Sequence, residues 1–167
     1  MKYLLLDFDR TLFNTELFYN SIELQYIAGM QRFPNGFDFR KFLYDDSVIF
    51  LTKARSLGWK LILLTYGQRE VQEYKVHASG IDEYFDQLFY VENGTKVDAI
   101  LPIFQNVLAN NTRIVFIDDT TRHLTDFKST LPHSKVFRMA RIGAKGSDSI
   151  DTRFTIITNF NDVLELI

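Results

Sequence analysis

One stretch near the N-terminus decides the fold: YLLLDFDRT, residues 3–11. Its unbroken apolar run, residues 3–6, predicts a strand buried on both faces, as in a parallel sheet. The run ends at Asp7 and Asp9, which an extended backbone would place on the same side. Open α/β sheets bind ligands beyond the carboxyl ends of their strands, and two close carboxylates repel unless a cation separates them or one is protonated. The pair therefore indicates a metal site, an acid–base pair or both, although an isolated D-x-D is more often an acidic turn.

Length and composition are those of an ordinary globular protein. The chain has 167 residues, 46% of them hydrophobic and 24% charged, which predicts one domain over residues 1–167. A net charge of −2 without a basic block argues against binding of nucleic acid through its phosphates. The absence of cysteine excludes disulfides, thiolate metal sites and thiol nucleophiles. No apolar stretch reaches membrane-spanning length and no signal-peptide pattern is present, so we expect a cytoplasmic protein without a membrane partner.

Strand and helix patterns alternate along the chain, which predicts an α/β fold with a parallel sheet. Further strands are predicted over 60–65, 87–91, 113–117, 135–138 and 154–157. Helices are predicted over 16–28 with Thr15 as its cap, 47–57, 68–79, 96–110, 122–129 and from Asn161 onwards.

Two of these strands also end in polar residues. Thr65 and Gly67 lie between a strand and a helix start, which makes a plausible phosphate cradle or a routine loop. Asp118 and Asp119 are adjacent acids at another strand end and again suggest a cation. Lys96 opens a helix, where its charge has the wrong sign for the helix dipole. It is either solvated or points at an anion shared with the edge of the sheet.

Together these features resemble the haloacid dehalogenase (HAD) superfamily over nearly the whole chain. The resemblance rests on D-F-D-R-T at residues 7–11, Thr65 at a strand end, Lys96 at a helix start, and I-D-D at residues 117–119. G-I-D-E-Y-F at residues 80–85 is similar to the connector that many members carry before the lysine motif. Four motifs in the expected order are a specific signal. The resemblance implies a Rossmann-like three-layer sandwich with a mostly parallel central sheet and a small helical cap segment.

The resemblance also implies a role for each motif residue. Asp7 would be the nucleophile that forms an aspartyl-phosphate, and Asp9 the general acid and then the base. Thr65 and Lys96 would bind the phosphoryl oxygens. Thr11 would orient the loop that carries Asp9.

Magnesium is the cofactor that the resemblance implies. Asp7, the backbone carbonyl of Asp9, Asp119 and waters would be its ligands, with Asp118 orienting them from outside. Members that cleave carbon–halogen bonds or pump ions lack an aspartate at the position of Asp9, so its presence points to phosphoester hydrolysis or phosphotransfer. We expect a small phosphorylated metabolite as substrate. A receiver that is phosphorylated on aspartate, and an inactive scaffold, are the alternatives, and the oligomeric state is left open.

A cap insertion is expected at about residues 13–46, and between Thr65 and Lys96 there is no room for another. Its aromatic residues either line a substrate pocket or form a small core of their own, and the second interpretation is favoured. They are Phe13, Phe18, Tyr19, Tyr26, Phe33, Phe37, Phe39, Phe42 and Tyr44. Four basic residues elsewhere are expected to be solvated, although they could reach substrate. They are Arg122, His123, Arg141 and Lys145.

Overall fold

Six parallel strands form one sheet in the order β3-β2-β1-β4-β5-β6. The structure is a computed structural model that describes residues 1–21, 37–104, 112–143 and 153–166. The strands are β1 (Lys2–Leu6), β2 (Lys60–Tyr66), β3 (Gln87–Val91), β4 (Arg113–Asp118), β5 (Lys135–Met139) and β6 (Thr155–Ile157). The α-helices are α1 (Thr15–Tyr19), α2 (Ser47–Ser56), α3 (Arg69–Ser79), α4 (Lys96–Phe104), α5 (Thr121–Thr130) and α6 (Asn161–Leu164). Short 3₁₀ turns lie at Phe39–Phe42 and Ile81–Tyr84.

Strand β1 lies at the centre of the sheet with helices on both of its faces. Leu4 and Leu6 belong to a core shared with α2, α3 and α6, whereas Tyr3 and Leu5 belong to a second core shared with α4 and α5. Alternate side chains of a strand point to opposite faces, so an apolar run without alternation fills both cores. The predicted α/β three-layer architecture is confirmed, and the sheet is entirely rather than mostly parallel.

The first helix is capped by a different residue from the one predicted. The side chain of Asn14 accepts a hydrogen bond from the amide of Leu17 at 2.9 Å, so Asn14 is the cap and Thr15 is the first helical residue. Because Thr15 is not the cap, its hydroxyl is available for another partner, which is described below. Helix α1 ends at Tyr19, with Asn20 as its C-terminal cap, so it is shorter than the predicted 16–28 helix. Residues 22–28 and the end of the predicted 96–110 helix lie outside the described residues.

The aromatic residues of the expected cap segment pack mainly on one another. Phe13, Phe18, Phe39 and Phe42 are all buried within the first core, and their rings lie in contact. For these four the prediction of buried core residues is confirmed, but they belong to the first core of the domain and not to a small core of their own. Tyr19 differs, with 59% of its surface exposed. Tyr26 and Phe33 lie outside the described residues.

Within the described part of the chain, none of the helices is long and apolar enough to cross a lipid bilayer.

Candidate active site

Three carboxylates meet at the carboxyl edge of the sheet. Asp7 follows β1 and its amide donates to the carbonyl of Ile117 at 3.0 Å, which sets it beside the end of β4. Asp118 is the last residue of that neighbouring strand, and Asp119 follows it directly. One carboxylate oxygen from each of Asp7, Asp118 and Asp119 lies within 4.8 Å of the others. We call these three residues the acidic triad.

Lys96 neutralises part of the acidic triad. Its ammonium group, at the first residue of α4 and almost fully buried, donates to Asp7 Oδ1 and to Asp118 Oδ2, the latter at 2.6 Å. Burial alone would lower the pKa of Lys96, but the charges of Asp118 and Asp7 outweigh it and raise the pKa. Lys96 is therefore charged. It points at anions and is not solvated, which was the second of the two interpretations of its position. An ammonium has three N–H groups, so one remains for a further acceptor.

The charge of the acidic triad exceeds what Lys96 can balance. Burial raises the pKa of Asp7 to about 6, with the Asp118 charge adding to the rise and Lys96 opposing it. Burial, then the charges of Asp7 and Asp118, raise the pKa of Asp119 to about 8. Such carboxylates are stabilised by a divalent cation, and an all-oxygen ligand set of this kind suits Mg²⁺. The residues present therefore fit the predicted metal.

Asp118 is already supplied with hydrogen-bond donors. Besides the hydrogen bond from Lys96, its carboxylate accepts one from the backbone amide of Thr120 at 2.8 Å, and Nδ1 of His123 lies 3.2 Å from Oδ2. Burial would raise the pKa of Asp118, but Lys96 and His123 lower it. Among the described residues, the Asp119 carboxylate has only the hydroxyl of Thr120 within hydrogen-bond distance, at 3.1 Å. Asp119 is thus the better placed of the two to bind a metal directly.

Asp9 does not share partners with the acidic triad. Strand β1 ends at Leu6, so the extended geometry that would set Asp7 and Asp9 side by side does not continue. The Asp9 carboxylate instead accepts Lys75 Nζ at 2.6 and 2.7 Å on its two oxygens, Gln72 Nε2 at 2.8 Å and the Thr15 hydroxyl at 2.8 Å. Burial would raise the pKa of Asp9, but Lys75, Gln72 and Thr15 outweigh it and lower the pKa.

Lys75 was not singled out from the sequence, although helical spacing gives a signal for it. The buried positions of α3 are Gln72, Lys75, Val76 and Ser79, the spacing of a single core-facing stripe. A lysine within such a stripe needs a buried anion as partner. Its ammonium also lies 5.5 Å from the ring centre of Phe8 and 5.6 Å from that of Phe13.

Thr65, predicted to bind phosphate, and Thr11, predicted to orient the loop that carries Asp9, both contact other side chains of the protein. The buried Thr65 hydroxyl donates to Gln72 Oε1 at 3.3 Å, which links it to the partners of Asp9. The Thr11 hydroxyl is buried and has no hydrogen-bond partner among the residues that the structure describes. The Thr11 carbonyl, however, accepts Nε and Nη2 of Arg141 at 3.1 and 2.8 Å. The loop is therefore held through its backbone.

Arg141 is not solvated, contrary to expectation. It is buried between the rings of Tyr44 and Phe160, and its Nη1 pairs with Asp46 at 2.7 Å. Of the other basic residues, Arg122 has 81% of its side chain exposed, as expected, whereas His123 contacts Asp118. Lys145 lies outside the described residues.

Arg10 lies between the acidic triad and helix α1. Its φ of 58° is the only positive φ of a non-glycine residue in the part of the chain that the structure describes. Nε donates to Glu16 at 2.7 Å, and Nη1 lies 3.9 Å from Asp119 Oδ2. The sequence analysis gave Arg10 no role of its own.

Solved structures similar to this chain share its whole fold at low sequence identity. One is the HAD-hydrolase YfnB from Bacillus subtilis, solved with bound magnesium, with a TM-score of 0.68 at 12% identity over 99% of this chain and 97% of the other. A protein assigned as a β-phosphoglucomutase from Thermotoga maritima has a TM-score of 0.66 at 17% identity over 99% and 98%. The L-2-haloacid dehalogenase of Xanthobacter autotrophicus, with chloropropionic acid covalently bound, has a TM-score of 0.62 at 13% identity over 99% and 98%. No protein-family model matches the sequence, and no curated protein sequence is significantly similar to it.

Proposed function

We propose, from the premise that this chain has the fold of the haloacid dehalogenase-like hydrolases, that it is a Mg²⁺-dependent phosphomonoesterase for a small phosphorylated metabolite. The observation that carries the proposal is the contact between Lys96 and Asp7 within the acidic triad. A strand-end carboxylate that is oriented by a buried ammonium and stabilised by a cation suits nucleophilic attack on phosphorus.

In the first half of the proposed reaction, an Asp7 oxygen attacks phosphorus and the bond from phosphorus to the leaving oxygen breaks. The product is an aspartyl-phosphate, and the leaving oxygen takes a proton from Asp9. The remaining N–H of Lys96 is available to a phosphoryl oxygen. A magnesium ion held by Asp7 and Asp119, when bound, supplies further positive charge to the phosphoryl group.

In the second half, Asp9 takes a proton from water as the water oxygen attacks phosphorus. The bond between Asp7 and phosphorus breaks, phosphate leaves, and Asp9 again carries the proton for the next turnover. The donors around Asp9 fit it for the second half, because a carboxylate that accepts from Lys75, Gln72 and Thr15 is charged. To act as an acid in the first half, Asp9 must carry a proton, so its ion pair with Lys75 must first open.

The identity of residue 9 favours cleavage of phosphoesters over cleavage of carbon–halogen bonds. The resemblance noted above implies that dehalogenases of this fold lack an aspartate at this position, whereas this chain has Asp9. Attack of Asp7 on a carbon atom would also need no proton donor, since a halide ion leaves without a proton.

A second candidate is a module that becomes phosphorylated on Asp7 and does not turn over. The observation that favours it is the ion pair of Asp9 with Lys75. If that pair does not open, Asp9 stays charged, but its lowered pKa makes it too weak a base to take a proton from water, so each aspartyl-phosphate is long-lived.

Hydrolysis of p-nitrophenyl phosphate in excess Mg²⁺ tests the proposal. We expect steady turnover by the natural protein, none by Asp7→Asn, and unchanged turnover by Asp162→Asn, an exposed aspartate of α6. For Asp9→Asn we expect a burst of about one equivalent of nitrophenolate followed by a slow phase, with the phosphate on Asp7 by mass spectrometry.

Other outcomes identify the alternatives. One stoichiometric phosphorylation by the natural protein would identify the module, and no reaction with any of a panel of phosphorylated metabolites would identify a scaffold. Steady turnover by Asp9→Asn, or phosphate on another residue, would show the proposed mechanism to be wrong.

A further inference from the structure

The backbone of Arg10 adopts a conformation that favours glycine. A φ of 58° lies in the left-handed region, where a side chain crowds the following carbonyl group. Glycine would occupy this position without that penalty. Non-glycine residues held in this region concentrate at functional sites, so the observed outlier prompts a search for what the side chain does.

The guanidinium of Arg10 is hydrogen-bonded at one end, whereas at the other it has only a long ion pair with Asp119. Nε donates to Glu16 Oε1, and neither terminal nitrogen makes a hydrogen bond to any described residue. Nη1 lies 3.9 Å from Asp119 Oδ2, beyond hydrogen-bond distance, and 36% of the side chain is exposed. The contact with Glu16 therefore orients a pair of free N–H donors beside the acidic triad.

We infer that Arg10 binds a second anionic group of the substrate, a carboxylate or a second phosphate. The two terminal nitrogens of a guanidinium match the two oxygens of such a group, and the pair of charge-assisted bonds is strong. The inference rests on the proposed function, in that the ligand is a phosphorylated molecule whose phosphoryl group lies at the acidic triad. It narrows the substrate class from phosphomonoesters in general to those with a second negative group close to the phosphate.

A different role for Arg10 would be purely structural: Nε and Glu16 would join the loop to α1, and the terminal nitrogens would bind only water. A third would be contact with the transferred phosphoryl group itself. The three roles differ in which ligands lose affinity when the side chain is removed, so binding measurements separate them.

Calorimetric binding of two phosphonates in the presence of Mg²⁺ provides the test. Methylphosphonate carries one anionic group, and phosphonoacetate carries a carboxylate as well. We expect the natural protein to prefer phosphonoacetate, and Arg10→Gly to lower that preference by roughly 10- to 100-fold, the range for a lost hydrogen-bonded ion pair. Glycine accepts the positive φ, so the variant should fold, which a thermal unfolding curve would verify.

Two further variants complete the test. Arg10→Lys keeps the charge but loses the paired donors, and should lose most of the preference. Arg122→Ala removes the same charge from a highly exposed side chain on α5 and should keep the preference.

The contrary outcomes are equally definite. An unchanged preference in Arg10→Gly, or no preference in the natural protein, overturns the inference. If Arg10→Gly loses equal affinity for both ligands, Arg10 contacts the phosphoryl group, and this result also overturns the inference. Because binding needs no turnover, a natural protein that prefers phosphonoacetate yet hydrolyses no phosphoester would refute the proposed function alone.

Discussion

Replacement of Asp9 should destabilise the fold as well as impair catalysis, because it leaves a buried charge without its partner. The Lys75 side chain is 1% exposed, and its ammonium contacts both oxygens of Asp9. Its other near neighbours are the faces of two aromatic rings. Removal of one member of a buried ion pair costs about 3–5 kcal/mol.

Asp9→Asn should fall at the lower end of that range, since an amide oxygen still accepts one bond from the ammonium, and Asp9→Ala at the upper end. Lys75→Met should cost less, about 1.5–3 kcal/mol, because Asp9 keeps Gln72 and Thr15 and is partly exposed. The double variant Asp9→Asn/Lys75→Met should recover much of the loss, since a neutral replacement of a buried pair is often tolerated.

Equilibrium unfolding in urea, followed by the fluorescence of the single tryptophan, Trp59, measures these differences. Asp162→Asn provides the control for a surface aspartate. A loss below about 1 kcal/mol in Asp9→Asn, or a double variant that loses the sum of the single losses, would refute the reasoning. The result also decides how the proposed burst experiment is interpreted, since Asp9→Asn must be assayed where it is folded.

Four further predictions concern the acidic triad and the aromatic residues. Without metal, the free energy of unfolding should rise as pH falls from about 8 to about 5, because the raised pKa values of Asp119 and Asp7 mean that the folded protein gains protons there. Mg²⁺ requires the charged carboxylates, so calorimetry should show the Mg²⁺ affinity weakening as pH falls over the same interval. EDTA should abolish turnover, and full activity in EDTA would contradict a metal-dependent mechanism. Asp119→Asn should shift the Mg²⁺ titration midpoint more than Asp118→Asn, whose oxygens already have protein donors, and equal midpoints would show the assignment to be wrong. Phe39→Ala should lower thermal stability by about 3–5 kcal/mol, whereas Tyr19→Ala should leave stability nearly unchanged; the reverse order would contradict the burial of these rings.

The acidic triad could be predicted because its members depend on short-range rules. Residues 3–6 and 114–117 are apolar runs that end in acid, and parallel strands bring their carboxyl ends to one edge. The placement of these carboxylates needs only a strand pattern and a topology. The position of Lys96 at a helix start left two interpretations open, and the resemblance to the HAD superfamily favoured contact with an anion.

The partners of Asp9 could not be predicted in the same way. The i, i+2 rule holds only while the chain is extended, and the chain leaves that conformation after Leu6 and turns at Arg10, at a positive φ. Which side chain then meets the carboxylate depends on how α3 packs against the loop, a contact between residues 9 and 75. Helical spacing does place Lys75 on the buried face, but the sequence alone does not say which anion it meets.

The guanidinium of Arg141 joins two segments that lie far apart along the chain. It binds the carbonyl of Thr11, in the loop that carries Asp9, and the carboxylate of Asp46, immediately before α2. Arg141 therefore links the segment immediately before α2 to the loop that carries Asp9. If the segment before α2 shifts to admit substrate, we expect the Asp9 loop to shift with it. Substrate entry and the alignment of Asp9 would then occur in a single kinetic phase. In Arg141→Met the two events should give two separate phases.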